Sequence, residues 1–281
     1  MTHRLAVEYT TELTGASKIA LLELGRTLRA YRESLILVGG WVPYLLIERH
    51  GPAASEFLHV GSIDIDFVVD PDRIGEEEYA TIVELISGAG WKPCEGKRFS
   101  FERTVIGSDG KAYDIQVDFL TPAPGGTDRP HRHRPIQADL QARTMRGAEL
   151  ALAHRNSIHL SGTLPDGADS TADLLMLDVT GCLGTKAIAL GDRYKQKDAY
   201  DIVSVIDRYG GGIPEVAGLV HPSSKEPLLA EALDVLRNKF RTQRSEGPIW
   251  YAEFLGGERD ALERAAQRAF QVVQEFERLL V

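Results

Sequence analysis

The stretch "LHVGSIDIDFVVDP", Leu58–Pro71, decides how the chain reads. Alternation along a strand predicted over 63–69 puts Ile63, Ile65, Phe67 and Val69 on one face and Asp64 and Asp66 on the other. Aspartate is disfavoured in strands, and two carboxylates about 7 Å apart on one face repel unless water or a cation intervenes. A second stretch, "YDIQVDFL" (113–120), repeats the arrangement, with Ile115, Val117 and Phe119 facing one way and Asp114, Gln116 and Asp118 the other. If the two strands are neighbours, Asp118 completes a carboxylate cluster, with Asp114 on the same face as the alternative. Three carboxylates on adjacent strands can hold two Mg²⁺ ions, which keep oxygen ligands and bind phosphates. An ordinary amphipathic strand with its polar side in water would show the same alternation.

Upstream, "LILVGG" reads as a short strand stopped by Gly39 and Gly40, and "GGWVPYLLIERHG" continues as a helix with Pro43 in its first turn and Gly51 at its end. Glycine at such a turn lets a phosphate approach the backbone, and the helix N-terminus attracts negative charge. Many such turns only make room for packing. Helical spacing also predicts helices over 16–33 and within "EEEYATIVELISGAG". The segment "TPAPGGTDRPHRHRP" (121–135) holds four prolines and two glycines, so it reads as a loop and as the boundary between two parts, 1–125 and 126–281. Beyond it the periodicity predicts helices at 136–154, 171–190, 196–209 and 226–244, a short strand at "SIHLSG", and a long amphipathic helix in "ERDALERAAQRAFQVVQEFERLL". The expected class is α+β: a mixed sheet with flanking helices, then a helical C-terminal part.

At 281 residues and 43% apolar content the chain can bury a good core. The opening residues lack an apolar signal core, and no run approaches the roughly 18 apolar residues that span a bilayer, so a cytoplasmic protein without a membrane partner is expected. A formal charge of -9 opposes broad adhesion to nucleic acid. One local exception, "TDRPHRHRPIQADLQARTMRG", supplies Arg129, Arg132, Arg134, Arg143 and Arg146 with His131 and His133, either as a solvated loop or as a surface for a polyanion. Cys94 and Cys182 match no metal or redox spacing and read as free core thiols.

Strand, Gly-Gly turn, helix, Asp-x-Asp strand and a later acidic strand, in that order, resemble the nucleotidyltransferase fold of the polymerase β type. In the second half, "GTKAIALGDRYKQKDAYDIVSVID" (Gly184 to Asp207) is similar to the Lys-x-x-Ala, Arg, Lys-Asp-x-x-Asp signature of the bacterial AbiEii and MenT nucleotidyltransferase toxins. That resemblance implies transfer of a nucleoside monophosphate from a nucleoside triphosphate (NTP) to an acceptor hydroxyl, with two Mg²⁺ ions on Asp64, Asp66 and Asp118. It places Gly39, Gly40 and Ser62 in the nucleotide site, Lys186 on the triphosphate, and Arg193, Lys195 and Lys197 as further phosphate contacts. Asp198 would orient Lys186 or a metal-bound water, with Asp201 as the alternative. Lys186 could also be a plain surface lysine, and Lys197 with Asp201 a plain i, i+4 ion pair.

The same resemblance implies a toxin that modifies the 3′ end of tRNA, docked on the arginines of 129–146 and opposed by an antitoxin protein. A phosphate added to Ser62, beside two carboxylates, would silence it. Two other readings remain: a small-molecule enzyme of the aminoglycoside type, and a member that binds nucleotide without catalysis.

Overall fold

The structure, a computed structural model, describes residues 4–52, 57–74, 80–123, 133–164 and 167–280. The chain begins α1 (Thr11–Thr27), β1 (Leu35–Val38), α2 (Trp41–His50), β2 (Ile65–Val69), α3 (Ile82–Gly88), β3 (Lys92–Pro93), β4 (Ser100–Ile106) and β5 (Ala112–Thr121). It continues β6 (His133–Pro135), β7 (Gln141–Thr144), α4 (Ala148–Ala153), β8 (Arg155–Thr163) and β9 (Asp169–Leu177). Helices α5 (Val179–Asp192), α6 (Gln196–Arg208), α7 (Ile213–Val220), α8 (Pro227–Lys239), α9 (Glu246–Leu255) and α10 (Arg259–Leu280) complete it. This is the expected mixed sheet flanked by helices with a helical C-terminal region. Among the described residues no helix is long and apolar enough to cross a membrane.

Two compact units share the chain: a sheet unit of Thr10–Trp41 and Ser62–Leu177, and a helical unit of Met1–Tyr9, Val42–Gly61 and Asp178–Val281. These units divide the chain at 9/10, 41/42, 61/62 and 177/178, and differ from the expected parts 1–125 and 126–281 because the sheet continues well past Pro122. Residues 141–144, expected to be helical, form β7, where Leu140, Ala142 and Thr144 are buried in a two-residue period against β5. Residues 171–177, also expected to be helical, belong to β9, whose burial alternates from Asp169 to Met176 before Asp178 caps α5. Long-range pairing has overridden local helical spacing in both places. The strand expected at "SIHLSG" is present and longer, as β8.

The sheet runs β3-β4-β5-β2-β1-β9-β8, with β7 joined to β5 and to β6. Its centre mixes directions: β2 is antiparallel to β1 and parallel to β5, and β1 is parallel to β9. Covered on both faces, β1 buries all four of its residues, as central parallel strands do. Helix α1, started by Thr10 whose hydroxyl accepts from the Leu13 N–H, packs against β4, β5, β8 and β9. From this helix the fully buried Ser17 donates to the Ile63 carbonyl at 2.7 Å and accepts from the Trp41 indole at 3.1 Å. One buried serine thus ties together the ends of the two segments that carry the glycine turn and the Asp-x-Asp pair.

In the helical unit, the Asp178 carboxylate accepts from the Gly181 N–H at 2.9 Å and sets the start of α5. Helix α6 packs against α5, α9 and α10, and α10 buries Ala266, Ala269, Val272, Val273 and Phe276 along one stripe.

Candidate functional site

Within the sheet unit, the parallel register of β2 and β5 makes Asp66 and Asp118 direct Cα partners. Neighbouring strands lie about 4.8 Å apart, and in-register residues share a face, so the two carboxylates project side by side. Asp64 precedes the first ladder residue, Ile65, and is exposed, whereas Asp66 is half-buried. The opposite face is filled as expected by Ile63, Ile65, Phe67 and Val69, and by Ile115, Val117 and Phe119, all buried. The choice between Asp114 and Asp118 resolves on register. Asp114 sits four residues back along β5, where it accepts from the Thr104 hydroxyl at 2.6 Å, and Asp118 is the one beside Asp66.

Asp118 is held firmly. Ser100, fully buried on β4 and paired with Asp118 in register, donates to Oδ1 at 2.6 Å, and Gln116 Nε2 donates to the same oxygen at 2.7 Å. Arg143 Nη2 lies 4.0 Å from Oδ2, its guanidinium resting over the Phe99 ring at 5.1 Å. Sequence alternation identified Gln116 as a face neighbour, but nothing in "KRFSFER" singled out Ser100.

The turn after β1 meets this pair. Val38 is the register partner of Asp66, so Gly39, at φ 77, comes directly against the Asp66 side chain. A Cβ at Gly39 would run into the Asp66 carboxylate, with Cγ at 3.0 Å. Glycine is required there for conformation and for space. Gly40 completes the turn. Ser62 is buried and donates to the Asp64 backbone carbonyl at 3.1 Å, so it shapes the entry to β2. Of the arginine segment, Arg129 and Arg132 lie outside the described residues. Arg134 stands on β6, Arg143 on β7, and Arg146 just beyond β7. Arg143 is the one placed against Asp118 by an ion pair at 4.0 Å.

The second set of expected residues forms a network in the helical unit. Lys186 is buried, which removes the surface-lysine reading, and its Nζ donates to Asp198 Oδ1 at 2.9 Å and Asp201 Oδ2 at 2.6 Å. Lys197 Nζ donates to Asp201 Oδ1 at 2.7 Å, so the i, i+4 pair exists and is buried. Arg193 forks onto Asp198 through Nε at 2.9 Å and Nη2 at 3.2 Å. Lys195 stands at the start of α6, half-buried, and helps to favour the charged Asp198. Neither aspartate is the alternative to the other, because Lys186 uses both.

His59, missed by sequence reasoning, closes the network. Its Nε2 lies 3.1 Å from Asp201 Oδ1, and its Nδ1 accepts from the Gly61 N–H at 3.2 Å. These partners fit a neutral ring with the proton on Nε2.

Burial sets the electrostatics. It lowers His59 to about 4 despite the Asp201 bond, and lowers Lys197 to about 8, with Lys186 adding to the effect. For Lys186 burial disfavours the ammonium, but Asp198 and Asp201 outweigh it and raise the pKa above the ordinary lysine value. Asp198 and Asp201 are opposed by burial too, yet Lys186 and the other cations hold both below the usual carboxylate range. Cys182, on α5, is pushed up to about 12 by burial and is a core thiol as expected, while Cys94 is a free thiol only half-buried.

Among the described residues no three His, Cys, Asp or Glu side chains converge as a metal site. The donor set and the backbone register nonetheless suit a hard divalent ion: paired carboxylate oxygens on adjacent strands, beside a turn without a side chain.

No family model matches the chain, and no curated protein matches it. A solved structure, that of JHP933 from Helicobacter pylori, is similar over 96% of this chain and 94% of its own, with 12% sequence identity and a TM-score of 0.41.

Proposed function

We propose that the chain is a nucleotidyltransferase that moves a nucleoside monophosphate from an NTP to an acceptor hydroxyl, the 3′ end of tRNA, and releases pyrophosphate. The observation that carries this reading is the Asp66–Asp118 rung, set against a glycine turn that a single methyl group would obstruct. Carboxylates on neighbouring strands are costly unless something positive is shared between them. Asp64, Asp66 and Asp118 would hold Mg²⁺, which when bound neutralises phosphate charge and acidifies the attacking hydroxyl.

The chain's own residues take the remaining roles. Asp118 keeps Oδ1 committed to Ser100 and Gln116, so Oδ2, which has only the 4.0 Å approach of Arg143 Nη2 beside it, is the oxygen left for a ligand or an acceptor proton. Gly39 and Gly40 leave the backbone open to a phosphate. Lys186 has three N–H donors, of which two are used by Asp198 and Asp201, and its role toward the triphosphate is supported by the resemblance of the Gly184 to Asp207 segment. With His59 neutral, Lys186, Lys197 and Arg193 set three positive charges against two carboxylates, so the network retains one positive charge. A toxin role, with a cognate antitoxin protein as partner, belongs to the same reading and is supported by the Gly184 to Asp207 signature.

A second reading is favoured by one observation. The charge of -9 suits a small cationic acceptor better than a polyanion. The two separate in one experiment: incubation with total RNA, Mg²⁺ and each labelled NTP in turn, beside a parallel series with aminoglycosides. Label entering tRNA supports the first reading and label entering the aminoglycoside the second. Label entering neither, with no pyrophosphate released, overturns both.

A further inference from the structure

A cavity of about 400 Å³ opens in the sheet unit, lined by Glu23, Arg26, Thr27, Arg29, Ala89, Arg103 and Leu164. It is remote in role from the carboxylate rung. Arg103 stands three residues from Ser100 along β4, so alternation places it on the other face of the sheet, the side that α1 covers. Three guanidiniums and one carboxylate converge here, in a chain whose overall charge is -9.

The way the single carboxylate is used matters. Glu23 and Arg26 are three residues apart on α1, within reach of a local ion pair. Glu23 instead pairs with Arg103 Nη1 at 2.7 Å, eighty positions away, with both side chains largely buried. That bond pins one guanidinium to the cavity wall while its remaining N–H groups stay available. Arg26 and Arg29, both exposed, have no carboxylate partner among the described residues. An arginine in the last turn of α1 suits the helix dipole, which accounts for Arg26 alone and not for three cations around one cavity. Thr27 adds a hydroxyl, and Ala89 and Leu164 give the cavity an apolar margin.

We propose that this cavity binds a phosphate group, held by Arg26 and Arg29 against the pre-positioned Arg103. Arginine is the side chain whose planar fork matches phosphate oxygens two at a time, and the cavity volume falls in the range of small-ligand sites. The phosphate comes either as a terminal phosphomonoester or from the backbone of a nucleic-acid strand, and the test separates these sources. The site is independent of the proposed transfer reaction, because it uses none of the same residues and needs no divalent ion.

The test is calorimetric titration in EDTA, without NTP, using inorganic pyrophosphate and two short oligoribonucleotides of one sequence, one with a 5′-phosphate and one with a 5′-hydroxyl. Wild type should bind pyrophosphate saturably, and the double variant Arg26→Ala, Arg29→Ala should bind it at least tenfold more weakly. Both residues are exposed, so the variant keeps its fold, which circular dichroism and an unchanged melting temperature would verify. Asp66→Asn should leave this binding unaltered. Preference for the 5′-phosphorylated oligonucleotide marks a terminal phosphate, and equal binding of both, lost together in the variant, marks the strand backbone. No saturable binding by wild type, or binding unchanged in the double variant, overturns the proposal.

Discussion

The carboxylate rung of the sheet unit and the lysine network of the helical unit both gather aspartates, but they balance them differently. Asp198 and Asp201 are fully buried, and every oxygen receives a lysine, arginine or histidine. Asp64 and Asp66 are exposed and half-buried, on a face that opens at a side-chain-free turn. A network whose carboxylates are already paired inside the fold serves first to hold its own residues in place, since a buried ion pair loses most of its Coulomb gain to desolvation. Carboxylates crowded on adjacent strands at a surface gain most from a cation supplied from outside. The two regions should therefore fail in opposite ways when mutated, one in chemistry and the other in folding.

The largest effect expected is on the chemistry of the rung. Asp66→Asn, or Asp64→Asn, should lower nucleotidyl transfer to tRNA by at least about a thousandfold, the scale of losing charge stabilisation at a reacting phosphate. The melting temperature should hold or rise, because one carboxylate of a repelling pair has been neutralised. Retained transfer in Asp66→Asn would remove the rung from the site. A steep loss of stability would make it a folding element like the buried network.

Asp201→Ala should do the reverse. It strands Lys186, Lys197 and His59 in a buried setting, and removing one partner of a buried pair typically costs about 3–5 kcal/mol. Urea unfolding measures it. A loss below about 1 kcal/mol would show that water replaces the aspartate, and that the network is looser than its burial implies. Lys186→Met, which removes a cation but keeps volume, should be milder in stability and still deficient in NTP use.

Histidine at the edge of the same network gives it a pH signature. His59 has a folded pKa of about 4 against an ordinary 6.5, so between these values the unfolded chain binds the extra proton. Stability from this group is thus complete above about pH 6.5 and is lost as pH falls toward 4, by about 3 kcal/mol in total at 1.36 kcal/mol per unit. His59→Gln should flatten that part of the stability–pH curve, as measured by chemical denaturation between pH 4 and 7. An unchanged slope would mean that another group carries it.

How much of this was legible beforehand depends on what kind of order held each part. The faces of β2 and β5 follow from two-residue alternation, a local property, and Asp64, Asp66 and Asp118 lie where that pattern puts them. The helices α2, α6 and α10 likewise follow from spacing and end signals. What resisted reading is non-local. Residues 141–144 and 171–177 join the sheet only because β5, β1 and β8 are there to pair with them, and the unit boundary moved with them. Ser17, Ser100 and His59 are single polar residues in otherwise ordinary contexts, and each acquires meaning from a partner 46, 18 or 142 positions away. The Gly184 to Asp207 signature named residues that come together in the structure, but not their burial. Lys186 was read as open to a triphosphate, and two buried aspartates already take two of its three donors.

The change that sharpens the comparison most is at Gly39. Alanine there must hold φ 77, a conformation costing an L-residue about 1–2 kcal/mol, and must also displace the Asp66 carboxylate from its place beside the turn. The clash falls on a side chain that can rotate, so the fold should survive with a loss of about 2 kcal/mol, while transfer falls with the misplaced carboxylate. A double-mutant cycle separates the two causes. In an Asp66→Ala background the side chain that Gly39 must avoid is largely gone, so Gly39→Ala should then cost only the backbone part. The coupling between the positions should be roughly 0.5–1 kcal/mol, within the range measured for residues in contact. Additive costs would mean that Gly39 serves the turn alone. A measurable coupling would identify the glycine as the residue that keeps Asp66 in position on the rung.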